Sequence, residues 1–90
     1  MKRLHVFIFG DVVGVGFRAW TVGEASSLGL RGWVRNADMN TVEAIFEGDK
    51  EKTDQMIELC HKGPEGSWVE KVKVKEEKVI GEFDDFGIRF

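Results

Sequence analysis

Apolar residues occupy both alternating sets of positions in residues 3–9, near the start of the chain. One set is Leu4, Val6 and Ile8, and the other is Phe7 and Phe9. A strand with apolar residues on both faces is typical of the interior of a sheet that is covered on both sides. The pattern therefore predicts a central strand in this segment.

Residues 17–28 and 49–62 carry apolar or small residues at helical spacing, and the sequence predicts a helix in each segment. The first predicted helix ends at Gly29, since glycine readily adopts the left-handed conformation that often follows a helix. Asp49 has a side chain suited to cap the second helix, and a Gly-Pro pair ends that helix. The apolar stripe of the second helix consists of Thr53, Met56, Ile57 and Cys60.

Two further strands are predicted in residues 30–35 and 41–47. In the second of these, Val42, Ala44 and Phe46 share one face, and Thr41, Glu43 and Glu47 share the other. The segment between the two strands, residues 36–40, is too short for a crossover helix. The strands should therefore form an antiparallel hairpin.

After the second predicted helix, Trp68, Val72 and Val74 alternate with lysines, which predicts a half-exposed strand. Residues 86–90 are predicted to form a short last strand. The order strand, helix, strand, strand, helix, strand, followed by a short C-terminal strand, is that of a ferredoxin-like two-layer sandwich. We therefore expect one α+β domain, residues 1–90, in which two helices cover one face of an antiparallel or mixed sheet.

The composition limits the location and the partners of the protein. A net charge of -3 argues against a broad basic face for nucleic acid. The single cysteine, Cys60, cannot form an internal disulfide, which suits a reducing cytoplasm. The apolar run of residues 4–9 is too short for the core of a signal peptide, and no stretch is long enough to span a membrane. We expect a cytoplasmic protein that binds neither nucleic acid nor membrane.

The glycine-rich stretch before the first predicted helix is the main candidate for chemistry. Gly14-Val-Gly16-Phe-Arg-Ala19 matches a dinucleotide-binding fingerprint, but that fold needs parallel strands joined by helices rather than a hairpin. A Walker phosphate loop needs a lysine followed by Ser or Thr, and the stretch has neither. Two interpretations remain, a simple tight turn between strand and helix, or a cradle of backbone amides that binds a small anion.

Arg18 favours the anion cradle. A positive charge in the first turn of a helix is unfavourable by about 0.3–1 kcal/mol against the helix dipole, and a bound anion reverses that sign. A guanidinium also stays charged at any working pH and can hold two phosphate oxygens at once. The stretch is therefore predicted to hold something small and doubly negative.

A set of motifs extends over nearly the whole chain: Gly10-x-Val12-x-Gly14-Val-Gly16-Phe-Arg18, Gly29-Leu-x-Gly32-Trp-Val-x-Asn36, Thr41-Val42, Glu47-Gly48, Gly63-Pro64, Val69, Val72 and Phe86-x-Ile88-Arg-Phe90. With these motifs at this spacing, the chain resembles the acylphosphatase family. The resemblance implies the ferredoxin-like fold and a small cytoplasmic hydrolase that cleaves the carboxyl-phosphate bond of acyl phosphates. It also implies that no metal, cofactor or covalent intermediate is required. The chain departs from the family at Val13, where glutamine is usual, and at Asp11, where a basic residue is common.

The resemblance assigns roles to particular residues of this chain. Arg18 and Asn36 correspond to the catalytic arginine and asparagine of the family, and Gly10 supports the site. The phosphate-binding loop corresponds to Val12, Val13, Gly14, Val15, Gly16 and Phe17. The amide of Asn36 can orient a water molecule, and Thr41, at the facing end of the hairpin, is expected to hydrogen-bond the Asn36 side chain. Because a carboxylate is a good leaving group, positioning and charge stabilisation should do most of the catalytic work.

Two other functions stay open from the sequence. One is a catalytically weak module of the same fold that binds phosphate or carbamoyl phosphate. The other is a ferredoxin-like regulatory or RNA-contacting module, for which Trp33 between Arg31 and Arg35 supplies an aromatic residue among basic ones. The favoured hypothesis is a monomeric enzyme that acts on a small-molecule acyl phosphate.

Overall fold

A computed structural model describes residues 1–90 of the chain. In chain order the elements are β1 (Lys2–Asp11), α1 (Phe17–Ser27), β2 (Arg31–Asp38), β3 (Thr41–Gly48), α2 (Lys50–Lys62), β4 (Trp68–Glu77) and β5 (Phe86–Ile88). This is the predicted order, and the ferredoxin-like α+β class is confirmed. The last strand ends at Ile88 rather than at residue 90.

The strands form one sheet in the order β4-β1-β3-β2-β5. β2 and β3 form the predicted antiparallel hairpin, and β1 lies inside the sheet between β4 and β3, as its apolar pattern predicts. β5 pairs in parallel with β2, which makes the sheet mixed. Because β1 and β2 both run antiparallel to β3, their C-terminal ends lie at the same edge of the sheet.

Both helices pack on one face of the sheet and enclose a single apolar core. Fourteen buried residues form it: Leu4, Val6, Ile8, Val12, Phe17, Ala25, Leu30, Val34, Val42, Ala44, Phe46, Met56, Cys60 and Phe86. The ring of Phe17, the first residue of α1, is 1% exposed, and full burial of such a ring contributes roughly 1.5–3 kcal/mol. The core therefore fixes where α1 begins. Neither helix combines the length and apolar character needed to cross a membrane.

The other face of the sheet carries a network of ion pairs. On β3, Glu43 lies 2.6 Å from Nε2 of His5 and accepts a hydrogen bond from Arg35 at 2.7 Å. The second ring nitrogen of His5 lies 3.0 Å from Glu77 of β4. Burial acts to raise the pKa of Glu43, but the hydrogen bonds from His5 and Arg35 outweigh it and hold that pKa below its ordinary value. Hydrogen-bonded polar and charged groups therefore cover the centre of this face of the sheet.

One detail of the predicted strands is wrong. Strict alternation places Trp68 on the covered face of β4, yet Trp68 is 70% exposed and Val69 packs against the core instead. The cause is a shift in the register of β1 and β4 between Phe9 and Gly10, which interrupts the alternation. Asp49 occupies the N-cap position of α2 as predicted, although its side chain makes no capping hydrogen bond.

Gly10 lies at this register shift, where β1 and β4 approach each other closely. A Cβ at position 10 would overlap the backbone carbonyl of Trp68, and the φ of +140° is one that other residues rarely adopt. The N–H of Gly10 donates to the carbonyl oxygen of Asn40 in the β2–β3 hairpin at 3.1 Å. Gly10 therefore ties the end of β1 to both of its neighbours, immediately before the glycine-rich loop.

Gly10→Ala should destabilise the protein by about 2–4 kcal/mol, because the added methyl group forces the backbone apart in a conformation that alanine disfavours. Gly23→Ala is the matched control. Gly23 lies within α1 with open space around its Cβ position, so the same replacement should stabilise the helix by about 0.5–1 kcal/mol. Urea unfolding followed by tryptophan fluorescence measures both changes. Wild-type stability in Gly10→Ala would contradict the close approach.

Stability should fall in acid as Glu43 becomes protonated, because a carboxylate whose pKa is lowered by folding stabilises the protein only while it is ionised. Its contribution is complete above the ordinary glutamate pKa of about 4.3 and is lost as the pH falls through the lower pKa of the folded state. Glu43→Gln should therefore be less stable than wild type at neutral pH, by an amount that shrinks in acid. Urea unfolding at a series of pH values measures this difference.

Glu58→Gln is the control for this experiment, since Glu58 is an exposed residue of α2 outside the ion pairs. It should follow the wild-type dependence of stability on pH. A Glu43→Gln difference that stays constant across the whole acid range would show that Glu43 acts through packing rather than through its charge.

Candidate active site

The loop between β1 and α1 holds two glycines in the left-handed conformation. Gly14 and Gly16 both have φ of 79°, whereas Val13 and Val15 have negative φ. A Cβ at either glycine would meet nothing within 4 Å, so backbone conformation rather than crowding requires glycine there. Left-handed residues placed between ordinary ones turn successive amide N–H groups toward one point, which makes a concave site for an anion.

Helix α1 begins at the end of this loop without a negative charge to cap it. Gly16 occupies the N-cap position, no side chain caps the helix, and the first turn contains no acidic residue. The N–H groups of the first turn have no partner within the helix and carry the partial positive charge of the helix dipole. The helix therefore presents a positive end that the rest of the chain does not neutralise.

A cavity of about 180 Å³ lies between the loop, the start of α1 and the end of β2. It is lined by Val12, Gly14, Gly16, Phe17, Arg18, Ala19, Asn36, Ile88 and Phe90. The structure thus brings Arg18 and Asn36 together with four of the predicted loop residues. Val13 and Val15 pack against the core instead, so that any contribution from them comes from their backbone amides.

The guanidinium of Arg18 has no carboxylate partner. The ion pairs of the structure all involve other cations, and Arg18 is half-buried at the wall of the cavity. Its guanidinium carbon lies 5.4 Å from the ring centroid of Phe90, within the range of a cation–π contact. Arg18 therefore offers a full positive charge whose fork geometry fits phosphate oxygens.

Asn36 reaches the cavity from the end of β2. It lies opposite Val42, on the sheet face that the helices cover, and its side chain makes no hydrogen bond to another part of the chain. A β-bulge follows between Asn36 and Asp38, and bulges commonly redirect side chains next to active sites. The free amide has both a donor and an acceptor for a water molecule.

The hairpin beyond Asn36 is anchored to β1. The Oδ1 atom of Asp38 accepts a hydrogen bond from the N–H of Asn40 at 3.0 Å, which closes the turn between β2 and β3. The carbonyl of Asn40 in turn accepts the hydrogen bond from Gly10. Since Gly10 precedes the glycine-rich loop, this chain of contacts fixes the loop relative to the strand that carries Asn36.

The predicted hydrogen bond between Thr41 and Asn36 is absent. Thr41 pairs with Phe9 and Asp38, and the residue opposite Asn36 is Val42. Successive residues of a strand point to opposite faces, so Thr41 lies on the face away from the cavity. It is 4% exposed and belongs to the packing of that other face.

Three residues that line the cavity were not predicted: Ala19, Ile88 and Phe90. Ala19 lies in the first turn of α1, and Ile88 reaches the cavity because β5 pairs with β2, where it lies opposite Val34. The C-terminal motif of residues 86–90 indicated that this segment is part of the family resemblance. It did not predict which strand the segment would pair with.

The cavity contains no acidic side chain. Asp11, the acidic residue next to the loop, is exposed at the end of β1 and does not line the cavity. No group of three or more His, Cys, Asp or Glu side chains is placed to hold a metal ion. Burial raises the pKa of Cys60 to about 12, so its thiol stays protonated and is not a nucleophile. The chemistry available is anion binding by amides and Arg18, together with orientation of a water by Asn36.

Known proteins share this sequence pattern and this fold. The family model for acylphosphatase matches residues 4–88. A protein of Syntrophobacter fumaroxidans named acylphosphatase is 51% identical over 89 residues, which are 99% of this chain and 92% of that protein. The crystal structure of acylphosphatase from Bacillus subtilis matches with a TM-score of 0.95 at 31% identity, over 100% of both chains. The crystal structure of full-length HypF in the phosphate- and nucleotide-bound form matches with a TM-score of 0.87 at 27% identity, over 99% of this chain and 12% of that one. The chain therefore belongs to the acylphosphatase family.

Proposed function

We propose that this chain is an acylphosphatase, a hydrolase that converts an acyl phosphate and water into a carboxylate and inorganic phosphate. One observation carries the proposal. The glycine-rich loop, the uncapped start of α1, Arg18 and Asn36 meet in a single cavity that no acidic side chain lines. These groups suit a substrate with a dianionic phosphoryl group and an activated leaving group.

The phosphoryl group lies in the glycine-rich loop. Backbone N–H groups of residues 12–17 and the guanidinium of Arg18 donate hydrogen bonds to its non-bridging oxygens, which carry the charge of the transition state. Because Arg18 has no carboxylate partner, it binds the phosphoryl group without first breaking an ion pair. Donors that are already in place need no reorganisation during the reaction.

Asn36 orients the attacking water. Its side-chain carbonyl accepts a hydrogen bond from the water. This contact points a lone pair of the water oxygen at phosphorus, on the side opposite the leaving carboxylate. The new bond joins the water oxygen to phosphorus as the bond from phosphorus to the acyl oxygen breaks. The water proton passes to a phosphate oxygen or to solvent, because no side chain that lines the cavity is a base.

We extend the proposal to the state and location of the protein. All groups that line the cavity come from one chain, so a monomer is sufficient for activity. A net charge of -3 gives little attraction for nucleic acid, and a single buried thiol at Cys60 suits the cytoplasm. In this proposal the protein is a cytoplasmic monomer, and its partner is a small-molecule acyl phosphate.

Hydrolysis of benzoyl phosphate, followed by absorbance, tests the two roles. Asn36→Ala should lower kcat by about 10²–10³-fold, the loss typical of removing one preorganised polar group, while the Ki of inorganic phosphate stays within roughly twofold. Arg18→Ala should lower turnover and raise the Ki of phosphate as well, because it removes the charge that binds the phosphoryl group. Arg31→Ala is the control, since Arg31 is exposed on β2 outside the cavity and should keep wild-type kinetics.

Two results would contradict the proposal in different ways. Wild-type protein that binds phosphate but does not hydrolyse benzoyl phosphate would be a binding module of the same fold. Full turnover in both Arg18→Ala and Asn36→Ala would leave the activity intact and reject the roles assigned to these two side chains.

A further inference from the structure

Two exposed apolar side chains stand at the mouth of the cavity. Phe90 is 99% exposed and Ile88 is 39% exposed, and both line the cavity together with Arg18. Covering a large apolar side chain is favourable, and binding sites place apolar side chains where the apolar part of a ligand lies. The wall formed by Ile88 and Phe90 is therefore suited to an apolar group rather than to phosphate.

We propose that Ile88 and Phe90 bind the acyl group of the substrate, so that this chain prefers acyl phosphates with an aromatic or bulky apolar acyl group to acetyl phosphate. The inference rests on the proposed function, because it takes the phosphoryl group to lie in the glycine-rich loop. It adds the class of substrate and the side chains that select it.

The position of Arg18 connects the two parts of the substrate. Its guanidinium lies over the ring of Phe90, with the guanidinium carbon 5.4 Å from the ring centroid. In an acyl phosphate a single bridging oxygen joins phosphorus to the carbonyl carbon, so the acyl group begins directly beside the phosphoryl group. A phosphoryl group held by Arg18 therefore places the acyl substituent next to Phe90.

The remaining lining disfavours a charged acyl group. Arg18 and Asn36 are the only polar side chains that line the cavity, and the proposed mechanism uses them for the phosphoryl group and the water. A carboxylate on the acyl group would meet apolar side chains without a cation of its own, which is unfavourable. An aromatic acyl group would instead gain ring contacts with Phe90.

The test compares benzoyl phosphate with acetyl phosphate, which share the phosphoryl group and differ in the acyl group. For each variant, kcat/KM for benzoyl phosphate is divided by kcat/KM for acetyl phosphate, and this ratio is then divided by the same ratio for wild type. The second division cancels the difference in intrinsic reactivity between the two substrates. Phe90→Ala should lower this ratio about tenfold, the order expected for loss of one apolar contact in a binding site. Ile88→Ala should lower it in the same direction, and Phe90→Leu should retain most of the preference.

Ile80→Ala is the matched control, because Ile80 is 66% exposed and lies outside the cavity. Its ratio should equal that of wild type. An unchanged ratio in Phe90→Ala would overturn the proposal, as would an equal loss of the benzoyl preference in Ile80→Ala.

Inhibition by inorganic phosphate separates direct contact from an effect through Arg18. An unchanged Ki in Phe90→Ala supports contact with the acyl group, because phosphate has none. A raised Ki with equal losses of kcat/KM for both substrates would mean that Phe90 positions Arg18, and it would overturn the acyl-binding role. Wild-type protein that hydrolyses neither substrate would reject the proposed function itself, a result distinct from the loss of selectivity.

Discussion

The start of α1 concentrates positive charge that no acidic side chain offsets, and the surrounding fold must hold these groups together. The N–H groups of the first helical turn and the guanidinium of Arg18 lie around one cavity, and no acidic side chain lines it. Placing a cation at this helix end costs about 0.3–1 kcal/mol. Burial of Phe17 at the same helix end contributes roughly 1.5–3 kcal/mol, which is more than this cost. The core can therefore hold the positive groups together before an anion arrives.

The strand pairing of β3 keeps acidic groups away from this site in a protein of net charge -3. Glu43 and Glu47 lie an even number of positions after Thr41 along β3, so the side chains of all three lie on the sheet face opposite the helices. There Arg3 lies 3.6 Å from Glu47, and the network of His5 and Arg35 surrounds Glu43. A slip of one residue in the register would exchange these faces and send the carboxylates into the core. The same alternation that builds the core thus keeps these carboxylates on the face away from the cavity.

Local patterns in the sequence were enough to predict the order of elements and to single out Arg18, whereas Asn36 came from the family resemblance. The glycines before α1 and Arg18 just after them lie within one short stretch, but an asparagine near the end of a strand carries no such local signal. The failures arise from pairing between distant segments. The register shift at Gly10 exposes Trp68, the bulge and pairing of β2 with β3 separate Thr41 from Asn36, and the parallel pairing of β5 brings Ile88 and Phe90 to the cavity. None of these pairings is encoded in the periodicity of one segment.

In the proposed function, the two halves of the substrate contact parts of the protein that tolerate substitution to different degrees. Backbone amides would bind the phosphoryl group, and a backbone amide is the same whichever side chain the residue carries. Val13 can therefore stand where the family resemblance predicts glutamine, since its side chain packs against the core and leaves the loop conformation to the neighbouring glycines. The acyl group would contact Ile88 of the edge strand β5 and Phe90 just after it. Both side chains are exposed and contribute little to the core. Replacement at these positions costs little stability, so substrate preference is free to change while the loop, Arg18 and Asn36 keep the same chemistry.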